Sequence, residues 1–334
     1  MDWALIATIA VIIIALGFDF TNGFHDAANA IATSVGTRAL SPKVALAMAA
    51  VCNFVGAFLG QEVAKTIQSI TSPGAGYSGL ALVAAALAGA IIWNLITWWF
   101  GLPSSSSHAL IGGIVGAALV AGSAVKWATV WEKVIIPMLT SPFVGLILAF
   151  LFMRLIVKVF GNKDPRKVGR GFRHAQVFSA AAMALGHGLQ DAQKTMGIIV
   201  LAMVSMGYLD ASTGIPLWVV AASAGAISLG TATGGKKIMK TLGRRVIDLD
   251  PARGFAAESV AASILYTTAY VFAAPVSTTQ IITGAIMGAG AEKRVKAVRW
   301  NVGVNILWAW ALTLPMAGLM AAIAYELLKL IFGL

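Results

Sequence analysis

The sequence predicts an all-α, polytopic membrane protein made of two inverted-topology repeats, with broken or re-entrant helices meeting near the bilayer midplane. Three observations predict it. Of the 334 residues only 11% are charged and 59% are hydrophobic, whereas a soluble domain carries roughly 25% charged residues. One fifteen-residue stretch occurs twice without a gap. The loops around the two copies carry opposite charge bias.

Apolar stretches fall at 3–18, 43–60, 80–100, 134–153, 215–229, 255–274 and 303–328. They approach or reach the ~20 residues a helix needs to cross a ~30 Å hydrocarbon layer. The first stretch, in "MDWALIATIA", lacks the positive n-region of a signal peptide and reads as the first helix of the mature chain. Cys52 is the only cysteine, which excludes an intrachain disulfide and a cysteine-based metal cluster. A net charge of +11 raises the question of a nucleic-acid partner. The cations instead collect in short loops between spans, as the positive-inside bias requires, so the partner they imply is the lipid bilayer of the cell's inner (plasma) membrane and not a nucleic acid.

Segment 103–117, "PSSSSHALIGGIVGA", aligns on 275–289, "PVSTTQIITGAIMGA", with six of fifteen positions identical. Ser106 and Ser107 meet Thr278 and Thr279, so hydroxyls persist where the residue type changes. Upstream, "GFHDAANA" (23–30) aligns on "GLQDAQKT" (188–195), which pairs Asp26 with Asp191. Downstream, "TSP" (140–142) meets "TLP" (313–315). Three matches in one order indicate a duplicated fold. The halves are 1–153 and 174–334, joined by a basic cytoplasmic connector at 154–173 with seven cations against Asp164.

Charge orients the copies. Loop 234–253 holds Lys236, Lys237, Lys240, Arg244, Arg245 and Arg253, whereas its counterpart 61–79 has Lys65 as its one cation. Loop 291–299 holds Lys293, Arg294, Lys296 and Arg299 against Lys126 and Lys133 at 123–133. Equivalent loops on opposite faces are the mark of inverted repeats, which place substrate near the midplane at discontinuous helices. Both termini are nearly free of cations and read as external. External termini with an internal connector require an odd number of crossings per half. Each half has about six apolar segments, so at least one per half stops short, and the Pro-interrupted hydroxyl segments and the stretches before them are the candidates.

Proline at 103 and 275 favours an extended residue before it and a helix start after it. Ser and Thr cap such starts, and the unpaired N–H groups there form an anion site. Ser105, Ser106, Ser107, Ser277, Thr278 and Thr279 therefore read as donors to a tetrahedral oxyanion, phosphate or sulfate; the bland alternative is that each hydroxyl back-bonds to its own helix. His108 beside Ser107 raises a hydrolase reading. Neighbours on a helix diverge by ~100°, the second copy has Gln280 in that place, and no Gly-x-Ser-x-Gly elbow occurs, so no catalytic residue is assigned and the chain reads as no enzyme.

Asp19, Asn22, Asp26 and Asn29 fall at i, i+3, i+7 and i+10, one stripe of a helix. A carboxylate at membrane depth marks an ion or substrate path by default. Asn22, Asp26, Asn29 and Asp191 read as cation-binding residues, with Asp26, Asn29 and Asp191 ligating the metal if the cation is sodium; a proton on an aspartate serves equally. Asp19, nearer a helix end, reads as interfacial. Glu258 reads either as another site carboxylate or as an ordinary helix-start acid. An anion channel, the alternative to a symporter, has no need of paired carboxylates.

The stretches "DFTNGFHDAANAIATSVGTRALSP", "WNLITWWFGLPSSSSHALIG", "GHGLQDAQKTMG" and "APVSTTQIITGAIMGAG" resemble the bacterial branch of the inorganic phosphate transporter (PiT) family. The resemblance runs along nearly the whole chain. It implies an inverted-repeat symporter that carries phosphate with sodium or protons, without a cofactor, as a homo-oligomer. The family's motif residues map to Asp26, Asn29 and Asp191 with hydroxyls at 105–107 and 277–279. The family's common Asn-Asp pair is His25-Asp26 and Gln190-Asp191 here, and Lys194 stands where the first copy has Asn29.

Charge counting then couples anion to cation. A phosphate dianion beside two ionised aspartates brings four negative charges. Two helix N-termini offset about one charge at roughly +0.5 each, and Lys194, read as facing the substrate, offsets another. About two cations or protons bring the loaded carrier near neutrality, the state that crosses lipid readily. Single cysteines at positions 70 and 243, with Cys52 replaced, are expected to label from opposite sides of the membrane; labelling from one side defeats the inversion.

Overall fold

Helix α1 (Trp3–Gly36) begins where the Asp2 side chain accepts the N–H groups of Ala4 and Leu5. It is 34 residues long, so the apolar stretch 3–18 continues straight through the polar stripe. Nothing in the stripe breaks the helix, because its residues share one inward face and leave the backbone bonds intact. The computed structural model describes residues 2–210 and 212–333, except for the side chains of Ala27, Lys236, Lys237, Arg244 and Arg245.

The order continues with α2 (Pro42–Gly56), α3 (Glu62–Gln68), α4 (Tyr77–Phe100), α5 (Ser106–Val120) and α6 (Trp127–Val130). A π turn, Trp131–Ile135, leads into α7 (Ile136–Phe160). Then come α8 (Pro165–Ser205), α9 (Leu217–Thr233), α10 (Lys236–Lys240) with a π turn at Thr241–Arg245, α11 (Pro251–Tyr270), α12 (Thr278–Ala291) and α13 (Trp300–Phe332). An isolated bridge between Thr71 and Val125 is the one β pairing among the described residues. Basic segment 154–173 consists of the end of α7 and the start of α8, meeting at residues 161–164.

Helix α8 is 41 residues long and buried almost without interruption from Gly186 to Ala202. No apolar stretch announces it, because His187, Gln190, Asp191, Gln193 and Lys194 dilute its hydropathy. Four helical stretches among the described residues, Trp3–Gly36, Tyr77–Phe100, Trp127–Phe160 and Trp300–Phe332, are long and apolar enough to cross a membrane. At 15 and 14 residues, α5 and α12 extend only ~20 Å at 1.5 Å per residue, short of a ~30 Å core.

Packing is reciprocal. Helix α5 lies against α13 and α4, while α12 lies against α7 and α11; α1 packs on α9 and α2 on α8. The contacts of the two short helices are backbone-close. A Cβ on Gly112 or Gly116 would lie 2.4 Å from the Leu314 carbonyl or 2.1 Å from that of Gly318. On α12, a Cβ on Gly284 or Gly288 would meet the carbonyls of Pro142 and Leu146 at 2.1 and 1.9 Å. Small residues at such spacing let helices approach in lipid, where no hydrophobic drive brings them together. Internal prolines, Pro142 in α7 and Pro315 in α13, lie next to these contacts, and each removes one helical hydrogen bond.

Gly116→Val and Gly288→Val are expected to destabilise the protein by about 1–3 kcal/mol or more through overpacking. Gly17→Ala is expected to change little, since a Cβ there meets nothing within 4 Å. Melting in detergent checks this, and equal melting temperatures for all three would refute the close-packing account.

Candidate functional site

Two chain reversals build the site. Helix α4 ends on Gly101 at φ +65°, the left-handed conformation glycine adopts freely. Residues Leu102–Ser105 then lead into α5, whose N-cap Ser105 accepts the His108 N–H at 3.2 Å. In the second copy Ala273 takes φ +49°, an uncommon and strained value for a residue with a Cβ. Ser277 then caps α12 by accepting the Gln280 N–H at 3.2 Å. Ser105 and Ser277 thus spend their oxygens on their own helix ends, and the next two hydroxyls of each run face inward.

Those hydroxyls converge on the stripes of α1 and α8. Ser106 Oγ donates to Asp26 Oδ2 at 2.7 Å, and Thr279 Oγ1 donates to Asp26 Oδ1 at 3.4 Å. Asn29 Nδ2 donates to Thr279 Oγ1 at 2.8 Å and Thr278 Oγ1 at 3.2 Å. Ser107 Oγ donates to the Val276 carbonyl at 3.0 Å, so α5 is tied to the turn before α12. Asn22 Nδ2 donates to Asp191 Oδ2 at 3.2 Å. Lys194 Nζ lies 2.8 Å from Asp191 Oδ1 and donates to Ser107 Oγ at 2.6 Å. All these side chains are buried.

The residues singled out in the sequence, 22, 26, 29, 105–107, 191, 194 and 277–279, therefore lie in one place. One carboxylate oxygen each from Asp26 and Asp191 and a ring nitrogen of His187 fall within 4.8 Å of one another. His187 also contacts Asp191 Oδ2 at 3.3 Å and Asn53 Oδ1 at 3.1 Å. Two carbonyl oxygens, Asn22 Oδ1 and Asn29 Oδ1, are buried without a hydrogen bond. The set offers carboxylate and amide oxygens to a hard cation and hydroxyls plus two helix N-termini to an anion.

His25 and Gln190 anchor the reversals. His25 contacts Asp26 Oδ1 at 2.8 Å through Nδ1, and Thr97 Oγ1 and Ser104 Oγ at 3.0 and 3.3 Å through Nε2. Gln190 Nε2 donates to Thr268 Oγ1 at 3.0 Å and to the Ala274 carbonyl at 3.5 Å. Each ties its long helix to the turn that precedes a short one.

Two positions differ from the sequence reading. Asp19 is fully buried, with Thr195 and Asn22 alongside it, and is not interfacial, because α1 carries it inward with the rest of its stripe. Glu258 is no exposed helix-start acid: it is buried, accepts Ser179 Oγ at 2.5 Å and Gln176 Nε2 at 3.2 Å, and is also bonded by Thr33. It stands apart from the aspartate pair. Sequence reasoning missed His187, Asn53 and Ser104. His187 had a signal: the alignment that pairs Asp26 with Asp191 pairs it with Asn22. Ser104 had one too, its place in the serine run 104–107, whereas Asn53 had none beyond its apolar surroundings.

The chain is similar to known proteins along nearly its whole length. Residues 22–321 match the phosphate transporter family. A "probable low-affinity inorganic phosphate transporter" of Bacillus subtilis is 44% identical over 334 residues, 99% of this chain and 100% of that protein. One of the same description from Rhizobium meliloti is 46% identical over 321 residues, 95% of each chain. A solved structure, "the sodium-dependent phosphate transporter", superposes with a TM-score of 0.87 at 25% identity, covering 97% of this chain and 99% of that one.

Ser105→Ala and Ser277→Ala are each expected to lower stability by about 1 kcal/mol, the usual worth of an N-cap. Ser277→Asn, which still caps, is expected to melt near the wild type. A Ser277→Asn variant as unstable as Ser277→Ala would show that the hydroxyl acts otherwise than as a cap.

Proposed function

This chain belongs to the phosphate transporter family, and from that premise we propose that it is a symporter carrying inorganic phosphate across the plasma membrane with a monovalent cation. It is a membrane protein whose relatives are named as transporters, not enzymes. Its halves, 1–153 and 174–334, are inverted repeats joined by a cytoplasmic connector at 154–173, with both termini external. It works as a homo-oligomer.

One observation carries the coupling: the hydroxyls suited to an oxyanion are held by the carboxylate suited to a cation. Ser106 and Thr279 both donate to Asp26. A cation on Asp26 satisfies its charge and frees both protons, and a hydroxyl rotates at little energetic expense. The phosphate then receives Ser106, Thr278 and Thr279 together with the N-termini of α5 and α12. Without the cation those donors stay on Asp26, and phosphate would add negative charge to a site that already holds two carboxylates. Sodium is the first reading, since it suits the Asp26, Asn29 and Asp191 oxygens. Protons are the second, favoured by His25 and His187 packed against Asp26 and Asp191.

Uptake of radiolabelled phosphate into proteoliposomes, under a sodium or a proton gradient and with excess sulfate, tests the reading. Gradient-driven uptake that sulfate does not suppress is expected. Strong competition by sulfate makes the substrate a broader oxyanion, and uptake without any cation gradient ends the symport proposal. Asp26→Asn and Asp191→Asn should each weaken the cation's effect roughly ten- to hundredfold, the worth of an interaction with a charged group. Full cation dependence in both variants would make the aspartates structural.

A further inference from the structure

The two copies of the site are not chemically equal. Repeat-related positions pair Asp26 with Asp191, Asn29 with Lys194 and Thr279 with Ser107; in each trio the side chain at 29 or 194 bonds the hydroxyl, while the aspartate is met by the hydroxyl in the first copy and by the side chain at 194 in the second. Asn29 Nδ2 lies 2.8 Å from Thr279 Oγ1, and Lys194 Nζ lies 2.6 Å from Ser107 Oγ. In each copy the matching aspartate is close by: Thr279 Oγ1 is 3.4 Å from Asp26 Oδ1, and Lys194 Nζ is 2.8 Å from Asp191 Oδ1.

What differs is the sign of what each copy presents. Asn29 offers a carbonyl oxygen, buried and without a hydrogen bond, which a cation can use. Lys194 is fully buried and has only donors to offer. Its ammonium already sits between a carboxylate oxygen and a hydroxyl oxygen, the contacts a small cation would make. We infer that Lys194 is a tethered coupling cation: its ammonium takes the second of two equivalent cation positions, so this carrier moves one fewer free cation per phosphate than the same site with asparagine at 194. The sequence reading set Lys194 toward the substrate; the geometry gives it to Asp191. Ser107, bonded to Lys194 and donating to the Val276 carbonyl, belongs with it on the cation side.

The inference rests on the symport reading, and the experiment separates the two. In proteoliposomes the cation-to-phosphate ratio is read from the gradient that just halts radiolabelled phosphate flux. Lys194→Asn is expected to raise the ratio by one, and Lys194→Arg, which keeps a tethered charge, to hold the wild-type ratio. An unchanged ratio in Lys194→Asn, or a changed one in Lys194→Arg, overturns the assignment. Should Lys194→Asn transport nothing, equilibrium binding of radiolabelled phosphate to the purified protein decides: the order of its dependence on cation concentration is expected to be one higher in Lys194→Asn than in the wild type. An equal order in the two proteins overturns the inference as well. Wild-type protein that carries no phosphate would instead strike the symport proposal itself.

Discussion

Two carboxylates held together inside a protein that lipid surrounds are the constraint on which the rest of this structure depends. Unit charges ~4 Å apart repel by about 4 kcal/mol even at an effective dielectric constant of 20, and Asp26, Asp191 and His187 share a space of 4.8 Å. Several nearby features lessen that repulsion. Lys194 lies against one carboxylate and His25 against the other, and the positive ends of α5 and α12 enter the same region. Helices α1 and α8 are long and unbroken because each must carry an aspartate to the middle while its backbone bonds stay intact. The short helices stop where they do for the opposite reason, since only a helix end exposes N–H groups.

A helix break buried inside a protein leaves backbone groups that water cannot reach and that the protein must satisfy. The two reversals satisfy theirs locally. Leu102 N–H and Ala274 N–H return to the carbonyls of Thr97 and Thr268. The Pro103 carbonyl accepts Trp310 Nε1 at 3.0 Å, the Ala274 carbonyl accepts Gln190, and the Val276 carbonyl accepts Ser107. Several of these partners are also site residues or their chain neighbours, so the same bonds that make the breaks affordable fix the site's geometry. Behind them, Gly112, Gly116, Gly284 and Gly288 set the short helices directly on the backbones of α13 and α7.

The all-helical, apolar character and the two capped helix starts were legible because they depend on residue types with few alternatives. Prolines 103 and 275 followed by hydroxyls announce two helix starts, and the structure caps both on the serines at 105 and 277. Helix α8 was hidden because a helix surrounded by protein need not be apolar, and hydropathy reads only the faces that meet lipid. Asp19 misled for a related reason: its distance along the chain from an apolar end says nothing of which face it shares, and the stripe's spacing was the better guide. Asn53 acts through a contact with a helix distant in the chain, His187 on α8, and no local pattern encodes such a meeting.

The surroundings of the two aspartates are unlike. Identical halves would surround both aspartates alike. Here Asp26 is held by Ser106, Thr279 and His25, of which two are hydroxyls that can turn to another acceptor. Asp191 is held by Asn22, His187 and Lys194, whose polar groups cannot turn away without moving the whole side chain. Buried ion pairs are costly to break because the charge left behind has no solvent, so the Asp191 side resists exchange with anything that arrives. On the Asp26 side Ser106 and Thr279 can rotate to another acceptor. A carrier must bind its cargo and also let it go. The rotating donors stand on one aspartate and the fixed charges on the other, so the two carboxylates differ in what an arriving ion must displace.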